Sequence, residues 1–354
     1  MVLDRNMKPS SPKTPKRKPA EPPKPRAKLT KKVIKRHQDN LDLVKKEIGK
    51  VVIGQEHTVE TVLTCLLCSS NALLEGVPGI AKSLLVETLS RTISGCSFKR
   101  IQFVPDLLPA DIIGVNAYNP KTGEFYIVKG PVFANFILAD EINRAPPKTQ
   151  AAMLEIMQEK KVSIAGKDFQ MQRPFLVLAT QNPLEQRGVY PLPEALVDRF
   201  MFKIMVFYPT QEEELEIINS NSVINPDAFN PIEKVLDRID IAEMQEDVKK
   251  VHVSDDVKKY ITDLIVATRG KSDVNLKLIK YVRYGGSPRA SIYLAYAARV
   301  AALMEGRNYI TPDDVKKFAY EVLRHRIILN YEGKAERIQS DDVVTEVLDK
   351  VGAF

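Results

Sequence analysis

One stretch limits the fold of this chain more than any other: Gly76-Val77-Pro78-Gly79-Ile80-Ala81-Lys82-Ser83. It follows the apolar run Ala72-Leu73-Leu74-Glu75, which reads as a short buried strand, and it leads into a helix from Ser83. A glycine-rich turn feeding a helix N-terminus aims backbone N–H groups and the positive end of the helix dipole at one point, as phosphate binding requires. Lys82 supplies a compact cation for the β- and γ-phosphates, and the Ser83 hydroxyl a ligand for Mg²⁺. Ala81 stands where the usual pattern has its second glycine. A methyl group is small enough there if φ stays negative.

Sixty residues on, Phe136-Ile137-Leu138-Ala139 reads as a strand that ends in Asp140 and Glu141. Beside a phosphate loop, Asp140 would join the Mg²⁺ shell and Glu141 would polarise the attacking water. A third strand, 175–179, ends in Thr180-Gln181-Asn182-Pro183, and an amide at its tip can hydrogen-bond the γ-phosphate or the water. Two arginines suit the charge that develops on the γ-oxygens: Arg199 in Asp198-Arg199-Phe200, and Arg289 in the first turn of a later helix. Either arginine alone would read as a surface ion pair.

Short strands (72–75, 100–103, 136–139 and 175–179) alternate with helical stretches, which predicts a parallel α/β sheet covered on both faces. Hairpin signals interrupt it at 114–128 and 162–171. After Pro209 strand signals almost vanish, and helical periodicity predicts a separate all-α domain. The expected division is a basic Pro-rich tail over 1–29, a nucleotide-binding core over 30–208 and a helical domain over 209–354.

The chain has 354 residues and a net charge of +7. Residues 1–32 hold eleven Lys/Arg against Asp4 and Glu21, so that segment carries +9 and the remaining 322 residues carry −2. The basicity belongs to the tail, and the body gives no sign of a duplex-binding face. Seven prolines and few apolar side chains predict a disordered tail, either a tether or a contact for nucleic acid or an acidic partner. No apolar run is long enough to span a bilayer, and the N-terminus lacks a secretory apolar region. Cys65, Cys68 and Cys96 cannot build a disulfide framework, which points to a reducing cytoplasm. Cys65 and Cys68 read as core cysteines of an apolar helix, because the four histidines offer no paired ligand spacing.

Taken in order, these residues resemble the MoxR family of AAA+ ATPases, from about Ile53 to about Leu329. The resemblance is carried by Val51-Val52-Ile53-Gly54-Gln55, by 76–83 with the family's Ala-Lys variant, and by Arg100-Ile101-Gln102-Phe103 with Pro105-Asp106-Leu107-Leu108-Pro109. It continues through Leu138-Ala139-Asp140-Glu141-Ile142-Asn143-Arg144, Ala179-Thr180-Gln181-Asn182-Pro183, Tyr190-Pro191-Leu192-Pro193, Asp198-Arg199-Phe200, Ser287-Pro288-Arg289-Ala290 and Val322-Leu323-Arg324-His325-Arg326. The resemblance implies a P-loop AAA+ sheet core with two hairpin inserts followed by an all-α lid. It implies that Asn182 is sensor 1, Arg199 the arginine finger and Arg289 sensor 2, and that Ile53-Gly54-Gln55 flank the adenine. It also implies ATP and Mg²⁺ as ligands, hexameric rings with ATP at subunit boundaries, and chaperone-like remodelling, often with proteins carrying von Willebrand factor A domains. In that scheme Arg289 would report nucleotide within its own subunit while Arg199 completes the site next door. The basic tail departs from the family pattern and offers the one route to nucleic acid.

Two other classes compete. A nucleic-acid translocase would use the basic tail and Lys167 at the second hairpin; ATPase stimulation by single-stranded DNA in tail-less protein would mark it. A non-hydrolysing nucleotide scaffold would release no phosphate, and it would not need Lys82, Ser83, Asp140, Glu141, Asn182 and both arginines together.

Overall fold

The computed structural model describes residues 29–77, 79–183, 188–220 and 232–353. The expectations for the tail (all but Leu29) and for Pro78 fall outside them. Strands β1 (Ala72–Glu75), β2 (Phe98–Gln102), β5 (Phe136–Asp140), β8 (Leu176–Gln181) and β9 (Phe202–Met205) form a parallel sheet in the order β9-β1-β8-β5-β2. The hairpins are β3 (Gly114–Asn119) with β4 (Glu124–Lys129), and β6 (Lys161–Ile164) with β7 (Lys167–Gln170).

Strand side chains alternate between two cores, as the period of two demands. Ala72, Leu74, Phe136, Leu138, Leu176 and Leu178 enter one core, packed with α1 (Lys31–Gly49), α2 (Glu56–Leu67) and α3 (Lys82–Thr92). Leu73, Ile137, Ala139, Val177 and Ala179 enter the other, with α4 (Pro147–Glu159) and Phe103. Burial on both faces explains the unbroken apolar runs. The first helix is capped by Thr30, whose Oγ1 accepts from Val33 N at 3.3 Å.

The C-terminal part is helical: α5 (Gln211–Ser220), α6 (Arg238–Val248), α7 (Asp255–Ala267), α8 (Pro288–Met304) and α9 (Ser340–Lys350), and among the described residues the strands between them are two or three residues long. Its apolar residues join the α1–α3 core, so the lid packs along one flank of the sheet. A buried ring pair, Phe202 of β9 and Phe318, stacks at 5.6 Å and ties lid to sheet. Among the described residues no helix is long and apolar enough to cross a membrane.

Candidate active site

Strand register decides which residues meet. Leu74 lies beside Thr180 and Ala139 beside Ala179, so the ends of β1, β8 and β5 are level. The phosphate loop, Asn182, Asp140 and Glu141 therefore collect at the C-terminal edge of the sheet, where open α/β sheets bind ligands.

The loop is built by close approach. A Cβ on Gly76 would sit 2.6 Å from the Val206 carbonyl, so only glycine fits there. Ala81 has φ +60, in the left-handed region, and caps α3. The condition of a negative φ is therefore not met: the turn holds residue 81 at positive φ, and alanine bears a cost of roughly 1–2 kcal/mol there. Ala81→Gly is expected to raise stability by up to about 1 kcal/mol, after the larger unfolded-state entropy of glycine is set against the relief, and to keep nucleotide binding. Urea unfolding with and without nucleotide checks both.

The Lys82 ammonium donates to Val77 O at 3.1 Å and to Gly76 O at 2.5 Å, so it is held over the loop. Burial pushes its pKa down, against the opposing pull of Asp140, Glu141 and Glu75. Ser83 lies in the first turn of α3.

Thr180 bridges the two acidic residues. Its hydroxyl donates to Asp140 Oδ1 at 2.5 Å and accepts from Glu141 N at 2.8 Å. Arg100 Nε donates to the other Asp140 oxygen at 2.9 Å. Glu141 has φ +56, an uncommon conformation for a long side chain, and accepts from Gln102 Nε2 at 2.7 Å with Arg144 Nε at 3.2 Å. Asn182 is buried at the tip of β8. The sequence motifs contained Thr180, Arg100 and Gln102 without assigning them roles. The signal was alternation: Arg100 and Gln102 share one face of β2, and Gln102 pairs in register with Asp140.

Beside the loop lies a mostly apolar cavity of about 370 Å³, lined in part by Val51, Ile53, Gln55, Ala81, Tyr208 and Ile217. Its volume and lining suit a purine. Gln55 Nε2 donates to Phe207 O at 3.2 Å, joining the two walls. Gly54, at φ +71, leaves room for Glu213, whose carboxyl carbon lies 2.4 Å from where a Cβ would be. A hydroxyl at Ser83 and a carboxylate at Asp140 are hard oxygen donors of the kind Mg²⁺ takes, so the residues fit that ion.

Arg199 and Arg289 are elsewhere. Asp198 and Arg199 precede β9, whose Phe202 pairs with Ala72 at the start of β1. They sit at the N-terminal edge, separated from the phosphate loop by the length of β1, about 13 Å at strand rise. Arg289 Nη1 meets Asp198 Oδ2 at 3.2 Å. In this structure the lid holds Arg289 on Asp198, at the sheet edge away from its own phosphate loop.

The cysteines occupy the core flank, with Cys65 buried and burial pushing the Cys65 and Cys68 thiols up. They join no metal-spaced cluster; among the described residues that spacing occurs at His37, Glu243 and Asp247.

Comparison with known proteins agrees with this fold. Residues 71–202 match the model of the ATPase family associated with various cellular activities (AAA), and residues 280–347 match an AAA lid domain. Chaperone MoxR1 of Mycobacterium tuberculosis is 47% identical over 306 residues, spanning 86% of this chain and 80% of that protein. The chain belongs to the MoxR family of AAA+ ATPases. Protein MoxR of Paracoccus denitrificans is 30% identical across 82% of this chain and 90% of its own length. A crystal structure of a Cytophaga hutchinsonii protein assigned as an ATPase superposes with TM-score 0.84 at 46% identity, covering 90% of this chain and 96% of that one. Membership makes this MoxR-family chain a nucleotide-binding ATPase with an AAA+ α/β core and a helical lid.

Proposed function

We propose that the chain hydrolyses ATP in a ring of its own copies, six by family resemblance, and uses the cycle as a chaperone-like remodeller of protein complexes in the cytoplasm. The observation that carries this reading is the split of the site. The phosphate loop, Asp140, Glu141 and Asn182 occupy one sheet edge, while Arg199 and Arg289 occupy the other. In this arrangement both arginines lie away from their own copy's phosphate loop, which supports their serving a neighbour's.

In this mechanism Gly76, Val77, Gly79, Ile80, Ala81, Lys82 and Ser83 hold the triphosphate, with the purine in the cavity beside Ile53, Gly54 and Gln55. Mg²⁺ held at Ser83 and Asp140 would supply positive charge to the β- and γ-oxygens. Glu141 accepts a proton from the attacking water, and Asn182 orients that water or the γ-phosphate. The neighbour's Arg199 meets charge developing on the γ-oxygens, and its Arg289 stands beside it on Asp198. The β3–β4 hairpin exposes Tyr118, Phe125 and Tyr126, with the Tyr118 and Phe125 rings 5.1 Å apart, which gives a client an apolar contact surface. A protein carrying a von Willebrand factor A domain is the partner class we propose.

Lys82→Ala is expected to lose ATP affinity by at least about 10-fold, since it removes a cation tethered over the loop. Fluorescent-nucleotide titration measures it. Unchanged affinity would remove the loop from the account. Wild-type turnover should ignore single-stranded DNA; stimulation in tail-less protein would favour the translocase instead.

A further inference from the structure

The turn that bears Arg199 is held in an unusual way. Its amide N–H groups bond to the core: Arg199 to Leu196 O at 3.1 Å, Phe200 to Val197 O at 3.1 Å, and Met201 to Asn71 O at 2.8 Å. Its carbonyls bond to the lid. Arg326, 4% exposed, donates through Nη2 to Asp198 O at 2.8 Å and Phe200 O at 2.6 Å, and through Nη1 to Met201 O at 3.2 Å. Its Nε reaches Asp198 Oδ1 at 2.9 Å, and Nη1 also reaches Val322 O. All five guanidinium N–H donors are thereby engaged. The remaining carbonyl, that of Arg199, accepts from the Tyr293 hydroxyl at 3.3 Å, and the Tyr293 ring lies 5.0 Å from the Arg326 guanidinium. His325 Nε2 adds a second donor to Phe200 O at 3.2 Å.

A buried guanidinium is costly unless fully partnered. Here burial lowers the Arg326 pKa to about 10, with Asp198 opposing the shift, so the side chain stays charged at neutral pH. The Arg199 side chain has no such anchor: its Nε is buried without an acceptor among the described residues. Its aim is set by the backbone beneath it.

We infer that Arg326 is a positioning residue, the mount by which the lid holds the Arg199 turn and fixes how that guanidinium is presented to the neighbouring copy. The inference rests on the shared-site reading above. It gives lid movement a direct mechanical route to the adjacent active site, because the four carbonyls from 198 to 201 move with the lid.

Arg326→Lys keeps the charge and loses the planar fork, so it cannot serve acceptors on several sides. Its own phosphate loop and Glu141 are untouched. Expected are an ATP dissociation constant within twofold of wild type and a kcat about 100-fold lower. Tyr293→Phe, which keeps the ring and removes one hydroxyl, should lower kcat several-fold, again at unchanged affinity. Mixing either variant with Glu141→Gln subunits, which carry an intact Arg199 turn, should restore turnover above the sum of the separate proteins. A purely structural defect in the variant's own site would not be rescued. Arg199→Ala mixed with Glu141→Gln is the control. Rescue of that control without rescue of Arg326→Lys or Tyr293→Phe overturns the inference, as does wild-type kcat in both variants. Failure of the control itself overturns the shared-site reading, and the inference falls with it.

Discussion

Arg199→Ala binds ATP and assembles as the wild type does, yet its kcat falls by about 10³-fold or more. The expectation follows from the placement of Arg199 at the N-terminal edge of the sheet, away from its own phosphate loop. Loss of the side chain leaves the local site chemically whole, so nucleotide affinity has no reason to change. On the shared-site proposal, what disappears is a guanidinium that meets transition-state charge at the next subunit, an interaction stronger in the transition state than in the ground state. Equilibrium binding beside phosphate release separates the two effects. A variant with near-wild-type turnover would mean that the finger lies elsewhere. Arg289→Ala is not a substitute experiment, because Arg289 is bonded to Asp198 and its loss disturbs the same turn.

The second large effect is expected at Glu141. Glu141→Gln retains ATP and assembles, while turnover falls by about 10²- to 10⁴-fold, the range for loss of a general base. The substitution is nearly isosteric. Glutamine still offers a carbonyl oxygen to Gln102 Nε2, so the left-handed turn at residue 141 and the Thr180 hydroxyl contact need not rearrange. The charge next to Arg144 is lost, which changes local electrostatics without opening the fold. Nucleotide extracted after incubation should be ATP rather than ADP. Extraction of ADP at the wild-type rate would show that the base is another group. The same variant, held in its ATP state, is the bait of choice for clients and for a von Willebrand factor A-domain partner.

These effects were legible in the sequence to different depths. The strand–loop–helix at 72–83 and the strand ending in Asp140-Glu141 are contiguous, and local chemistry alone identifies them. Sheet burial was legible too, since unbroken runs such as Phe136–Asp140 need cover on both faces. The sign of φ at Ala81 was not, because residue type there argues for a negative value and the turn overrides it. Alternation places Arg100 and Gln102 on one face of β2, but the partners of Thr180, Arg100 and Gln102 follow from register between strands some 40 residues apart, which one strand cannot report. The position of Arg289 and the whole environment of Arg326 depend on how the lid docks. The Arg326–Asp198 contact closes a separation of 128 residues, and no local pattern encodes it.

The central claim is that each active site is assembled from two copies, one giving the phosphate loop and Glu141 and the next giving Arg199. Mixing Arg199→Ala with Glu141→Gln tests it most directly. Each variant alone is expected to be nearly inactive. In mixed rings the Arg199→Ala subunit has an intact loop and base, and a Glu141→Gln neighbour brings an intact arginine, so phosphate release should rise well above the sum of the two separate rates. If release stays at that sum across all mixing ratios, while exchange of subunits is verified with a labelled copy, the site is not shared and the account is wrong.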